Sequence, residues 1–130
     1  LRKFCKKAPE ARDWLADLPL FREYSRLIIV HAGIHPTKGI DGTSRKKALT
    51  MRRFPKSDPN APFWYDAGWK GPDTVVFGHD ALRGLVRREI DGFPVAIGLD
   101  SGCVYGKKLS AWIPHEDRIL SVQAKENYVS

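Results

Sequence analysis

Two apolar runs that each release a histidine constrain this chain more than any other feature in it. The first is Leu27-Ile28-Ile29-Val30-His31-Ala32-Gly33 and the second is Val75-Val76-Phe77-Gly78-His79-Asp80. Short β-branched runs that end in small residues read as buried strands. In an open α/β sheet the ligand lies outside the carboxyl ends of the strands, where both imidazoles would project. Gly78, on this reading, leaves room for a close approach where the chain turns sharply. The pattern leaves two explanations open. Each histidine is satisfied separately by a hydrogen bond at its strand end, or the two share one site.

The 130 residues suit a single domain, with hydrophobic and charged contents of 42% and 28% that fit a globular class. No apolar run approaches the roughly 20 residues that span a bilayer, and the N-terminal stretch lacks a signal-peptide core, so no membrane association is expected. Lys and Arg number 22 against 15 acids, a net charge of +7. That excess favours anionic partners, phosphate compounds and nucleic acid alike. It is spread over short pairs such as Arg45-Lys46-Lys47, Arg52-Arg53, Arg87-Arg88 and Lys107-Lys108, which reads as solvated surface more than as a nucleic-acid patch. The two cysteines, Cys5 and Cys103, have no metal-ligand spacing and are too few for a disulfide framework, which fits a reducing, cytoplasmic setting.

Along the chain, Pro9 and the spacing of Ala11, Trp14, Leu15 and Leu18 predict a helix from about Ala8 to Leu20, ended by Pro19. Phe21 to Arg26 reads as a connection. Thr43 or Ser44 is placed to cap a short helix through Arg53. The stretch from Pro55 to Pro72 is a long loop whose Phe63, Trp64, Tyr65 and Trp69 are expected to pack as a lid on the core. Asp80 to Arg88 reads as a helical or turn segment, and Asp91-Gly92 as a hairpin. Strands are expected over Phe93–Leu99, Lys108–Ile113 and Arg118–Val122, giving a C-terminal meander. The alternation of helix and buried strand before it sets the class as α/β, or α+β.

Neutral imidazoles on fixed strand ends suit Zn, Mn, Fe or Co, but two are too few for a closed site. Asp100 reads as a turn residue or a partner of the site. Arg52 and Arg53, between the two histidine segments, are candidates for an anion clamp, because guanidinium meets phosphate oxygens bidentately. His35 and His115 read as loop residues. Gly102-Cys103-Val104-Tyr105-Gly106-Lys107 has three residues between its glycines where a phosphate-binding Walker loop has four, and Lys108 stands where Ser or Thr belongs. Gly-x-Ser-x-Gly is absent, and Cys103 has no evident base.

Taken together, Val30-His31-Ala32-Gly33-Ile34-His35-Pro36, Phe77-Gly78-His79-Asp80-Ala81 and Gly98-Leu99-Asp100-Ser101-Gly102-Cys103-Val104-Tyr105-Gly106 resemble the second half of a calcineurin-like metallophosphatase. Ala48-Leu49-Thr50-Met51-Arg52-Arg53-Phe54 adds to the likeness. The nearest branch is that of the ApaH-like, symmetrical bis(5'-nucleosyl)-tetraphosphatase-like phosphatases. The resemblance implies that residues 1–130 form the C-terminal half of a four-layer αββα sandwich, with an exposed apolar face where the first half packs. It implies hydrolysis of phosphoesters or phosphoanhydrides with two divalent metal ions (Mn, Zn, Fe, Co or Mg), His31 and His79 being ligands of one of them. Arg53, with Arg52 as the near alternative, would contact substrate phosphate, and Gly33, Gly78 and Asp100 would shape the site. Implied substrates are dinucleoside polyphosphate, polyphosphate, capped RNA or phosphoprotein. The family's Asp-x-His, Gly-Asp-x-x-Asp-Arg and Gly-Asn-His motifs, which carry the remaining ligands and the catalytic histidine, do not occur here. Activity is therefore expected only with an N-terminal half present, and the alternative is a non-catalytic anion-binding module that keeps the fold.

Overall fold

The computed structural model describes residues 8–129. Cys5 and the pairs Arg2-Lys3 and Lys6-Lys7 lie outside the described residues. Helix α1 spans Pro9–Asp17 and α2 spans Arg45–Thr50. The strands are β1 (Phe21–Tyr24), β2 (Leu27–Val30), β3 (Thr74–Phe77), β4 (Val86–Ile90), β5 (Phe93–Gly98), β6 (Lys108–Ile113) and β7 (Arg118–Gln123). Five strands form one mixed sheet in the order β1-β2-β3-β5-β4, and β6 and β7 pair separately. β2, β3 and β5 run parallel, with Ile28 opposite Val75 and Val75 opposite Ala96. Both outer pairs are antiparallel. This is the expected mixed α/β class.

The three parallel strands hold the core. Ile28, Val30, Val75, Phe77 and Ala96 are buried, and Ile34, Ala48, Met51, Trp64, Tyr65 and Trp69 pack with them. The long aromatic loop therefore serves as the lid that its composition predicts. Its indoles also find partners, as buried indoles must. Trp64 Nε1 donates to the Ala32 carbonyl at 3.2 Å, and Trp69 Nε1 to that of Val95 at 3.1 Å. The base of the loop is tied by Phe54 N–H to Pro62 O and Trp64 N–H to Arg52 O, both 3.0 Å. Tyr65 is the exception in this core, because its buried hydroxyl has no hydrogen bond of good geometry among the described residues.

Four sequence expectations change. The C-terminal strands do not form one meander, because β5 pairs with β3 and β4 in the main sheet and β6 and β7 pair with each other apart from it. Phe21–Tyr24 is a strand and not a connection: Phe21 pairs with Val30 and Tyr24 with Leu27 across a turn in which Arg26 takes a φ of 60°. Val86–Ile90 is likewise a strand, joined to β5 through Asp91 and Gly92 at φ values of 50° and 76°, the doubly left-handed turn that Asp-Gly favours. Both are edge strands with much of their surface in water. Charged residues blunt sheet edges, and in β4 the inward position between Val86 and Ile90 is taken by Arg88, so its alternation of half-buried and exposed residues does not read as an apolar one. The cationic helix also stops early: α2 is capped by Ser44, whose hydroxyl accepts from Lys47 N–H, and ends at Thr50. Arg52 and Arg53 thus belong to the loop.

One apolar face lacks cover among the described residues. α1 buries none of its side chains, and Trp14, Leu15, Leu18 and Ile29 are 64%, 40%, 42% and 41% exposed. Leu109, Leu120 and Val122 of the β6–β7 hairpin are exposed as well. No helix among the described residues is long and apolar enough to cross a membrane.

The hairpin is fastened to the main sheet by charge. Arg87 of β4 donates two 2.7 Å hydrogen bonds to the Asp117 carboxylate, and Trp112 Nε1 adds a third at 3.0 Å. These donors hold the Asp117 carboxyl below its ordinary value of 3.8, Arg87 contributing most. A depressed carboxyl stabilises the fold above its unfolded-state pKa, and that contribution disappears as pH falls through the folded-state value. Thermal unfolding followed from neutral pH to below 3.8 is expected to show this loss in the wild type and a flatter acid limb in Arg87→Gln. Packing gives a second prediction. A Cβ on Gly33 would lie 2.5 Å from Trp64 Nε1, so Gly33→Ala is expected to destabilise the fold by about 1–3 kcal/mol, as overpacking does, measured by urea unfolding with tryptophan fluorescence.

Candidate functional site

The site stands on the carboxyl ends of β2, β3 and β5. Beyond the last paired residues the parallel ladder continues for one more rung, Gly78 N–H to His31 O at 2.9 Å on one side and Leu99 N–H to Phe77 O at 2.8 Å on the other. That register sets the two histidines side by side. His31 Nε2 lies 3.1 Å from His79 Nδ1, the rings meeting edge-on with centroids 4.9 Å apart and planes 61° apart. Residues 48 positions apart in sequence thus present ring nitrogens to each other, as one shared site requires.

The backbone at His79 is strained. Its φ is 71°, and Asp80 N–H bonds back to Gly78 O at 2.9 Å. A hydrogen bond across three residues with a positive φ in the middle is the rare, strained form of the γ-turn. The sharp turn therefore falls on the histidine itself. Gly78 is not needed for close approach, because a Cβ there would make ordinary contacts of 3.7 Å to His31 O and 3.8 Å to the Asp100 Cβ. Non-glycine residues in such conformations recur at functional sites, where the surrounding structure holds them. At the end of β5 the chain makes a second three-residue turn around Asp100, with Ser101 N–H to Leu99 O at 2.9 Å. Asp100 Oδ1 accepts from Gly102 N–H at 3.2 Å, so the carboxylate shapes its own turn beside the site.

Burial, then the neighbouring His31 and Arg52, push the His79 pKa below 6.5, while Asp80 and Asp100 oppose the shift. Arg52 Nε stands 3.6 Å from Asp80 Oδ1, its side chain half exposed. Arg53 is occupied differently: its Nη1 donates to Ala61 O at 2.5 Å and its guanidinium lies 4.4 Å over the Phe63 ring. Both sequence candidates line the cleft beside His79, Arg52 held loosely through Asp80 and Arg53 through Ala61 O and the Phe63 ring. His35 stays out of the site, its Nδ1 accepting from the backbone N–H groups of Thr37 and Lys38 at 3.3 and 3.2 Å. His115 is on the surface near Glu116, and Cys103 is free and half-buried.

Sequence reasoning missed Asp80, Phe63 and Arg83 as neighbours of the site. Asp80 adjoins His79 and orients Arg52. Phe63 and Arg83 come from a loop and a turn with no periodic signal, and only the tertiary fold places Arg83 over the Phe63 ring, 4.5 Å from its centroid.

A divalent metal is a natural test of this donor set. Two imidazole nitrogens 3.1 Å apart share one hydrogen bond, and His79 is biased toward its neutral form, the form in which an imidazole ligates a metal. No group of three or more His, Cys, Asp or Glu gathers around a metal-sized space among the described residues, so the two histidines alone do not make a closed site.

No family model matches the chain. A solved structure described as a candidate diadenosine tetraphosphatase superposes with a TM-score of 0.73 at 34% identity, covering 94% of this chain and 61% of that one. A symmetrical bis(5'-nucleosyl)-tetraphosphatase from Paraburkholderia phymatum is 28% identical over 80% of this chain and 57% of its own length. The one from Burkholderia mallei is 54% identical over 50 residues. The chain resembles an ApaH-like metallophosphatase. It spans little more than half of the Paraburkholderia relative and of the solved structure, in agreement with the partial match read from its motifs.

The γ-turn supplies a test free of any ligand. His79→Ala keeps the strain and loses the imidazole, whereas His79→Gly loses both. The glycine variant is expected to be the more stable of the two by about 1 kcal/mol in urea unfolding.

Proposed function

We propose that the chain carries part of the active site of a metal-dependent phosphoanhydride hydrolase that acts on dinucleoside polyphosphates. The observation behind this reading is the meeting of His31 Nε2 and His79 Nδ1 at 3.1 Å across adjacent parallel strand ends. His31 and His79 would hold one divalent ion. A metal centre, when bound, lowers the pKa of water and neutralises phosphoryl charge. The remaining ligands and the proton donor to the leaving group would come from the portion of the ApaH-like fold that the chain does not span. Packing of that portion would cover the apolar face of α1, Ile29 and the β6–β7 hairpin.

The chain's own residues have separate tasks in this scheme. Arg52 contacts a non-bridging phosphate oxygen, since its guanidinium is planar, permanently charged and only loosely paired. Asp80 keeps that guanidinium next to His79. Arg53 serves the substrate indirectly, by fixing the loop through Ala61 O and Phe63. Burial of His79 lowers its pKa and so favours the neutral imidazole, the form that binds a metal. The name of the Paraburkholderia relative supports a dinucleoside tetraphosphate as substrate.

Chelation of the full-length protein is expected to abolish hydrolysis of diadenosine tetraphosphate, and a divalent ion to restore it. His31→Ala and His79→Ala are each expected to weaken divalent-metal binding, read by calorimetry, by more than the roughly 10- to 100-fold that loss of an outer-sphere partner produces. Undiminished metal binding in both variants would overturn the ligand assignment. Anion binding without turnover in the intact protein would point instead to a binding module.

A further inference from the structure

Beside His79 an open cleft of about 700 Å³ runs along the loop after α2 and the turn after β3. It is lined by four cations, Arg52, Arg53, Lys56 and Arg83, against two carboxylates, Asp58 and Asp80. The way these cations are held differs from that of the arginines on the β4 edge and the hairpin turn. Arg87 is paired with Asp117 and Glu89, Arg88 with Asp66, and Arg118 with Glu116. Lys56 and Arg83 have no ion pair among the described residues.

Arg83 is positioned by an aromatic surface. Its guanidinium lies 4.5 Å from the Phe63 centroid, and Phe63 is itself stacked on the buried Tyr65, planes 3° apart and centroids 5.5 Å apart. A cation fixed by a ring face keeps its N–H edge for an anion, whereas one fixed by a carboxylate does not. The cleft falls in the size range of small-molecule sites, with room for more than a single phosphate. Its unpaired cations Lys56 and Arg83 line the same cleft as Arg52 and His79, so the cleft offers more cationic contacts than a single phosphate can use.

We propose that Arg83, on the Phe63 platform, and Lys56, in the same cleft, form a subsite for the distal phosphates of a linear polyphosphate group. The ligand is a chain of three or more phosphoryl units, either free or bridging two nucleosides. This rests on the proposed function in one respect, that the phosphoryl group to be attacked sits at the His79 end and the distal phosphates extend from it.

The test is calorimetric titration of the full-length protein in the presence of a chelator, so that no metal contributes, with inorganic tripolyphosphate, orthophosphate and diadenosine tetraphosphate. Tripolyphosphate and diadenosine tetraphosphate are each expected to bind at least about tenfold more tightly than orthophosphate. Lys56→Gln and Arg83→Gln are each expected to weaken them by about tenfold, the scale of one charge-assisted hydrogen bond, and to leave orthophosphate binding unchanged. Phe63→Leu retains apolar packing and removes the platform, and is expected to weaken tripolyphosphate binding in the same direction. Equal affinity for the three anions, or full tripolyphosphate affinity in the Lys56 and Arg83 variants, overturns the subsite. Steady-state kinetics separates this outcome from the fate of the hydrolase reading. A raised KM for diadenosine tetraphosphate in Arg83→Gln at unchanged kcat supports the subsite, and a wild-type KM overturns it even where turnover is intact. Tight tripolyphosphate binding in a protein that hydrolyses nothing supports the subsite and removes the hydrolase.

Discussion

The hydrogen bond from Gly78 N–H to the His31 carbonyl, 2.9 Å long, is the contact on which the site depends. It is one rung of a parallel ladder, and parallel register has no hairpin to set it. Here the register comes from Ile28 facing Val75 in the core. A slip by one residue would turn each buried side chain to the opposite face of the sheet, and it would also part the two imidazoles. Core packing and site geometry are thus set by the same alignment, and the strain stored at His79 is sustained by the strand that precedes it.

The aromatic loop does two jobs with one set of residues. Trp64 and Trp69 close the core, each spending its indole N–H on a main-chain carbonyl at a strand or its end. Their neighbour Phe63 faces outward and becomes a platform between Arg53 and Arg83. The outer residue inherits the rigidity of the inner ones, so the cleft is built on packed core without any helix or strand of its own. Tyr65, which supports Phe63 from below, leaves its hydroxyl without a good partner. Burial raises its pKa, and the nearby Arg83 works against that shift.

Electrostatics divides the surface into two kinds. On the β4 edge and the hairpin turn, arginines and carboxylates neutralise one another and carry out a structural task, the fastening of Arg87 to Asp117 being the strongest case. Beside His79 the cations outnumber the acids, and only Arg52 of the four has an ion pair among the described residues. The total charge of the chain does not reveal this division, because a net excess of basic residues says nothing about which of them have partners.

The strands ending in His31 and His79, the Asp91-Gly92 hairpin, the Ser44 cap and the aromatic lid were legible in the chain itself, because each depends on local chemistry: β-branched runs, left-handed turn residues, a hydroxyl at a helix start. Edge strands β1 and β4 were not legible, since their pairing energy comes from a neighbour and their side chains carry no unbroken apolar alternation. By itself the sequence determined which residue types end the central strands and how the motifs follow one another along the chain. Only the tertiary structure decided that the sharp turn falls on His79 and not on Gly78, that Arg52 is held by Asp80 and Arg53 by Ala61 O and Phe63, and that Arg83 lies over Phe63. Those outcomes depend on register and on competition among partners distant in sequence, and both exist only once the sheet has formed.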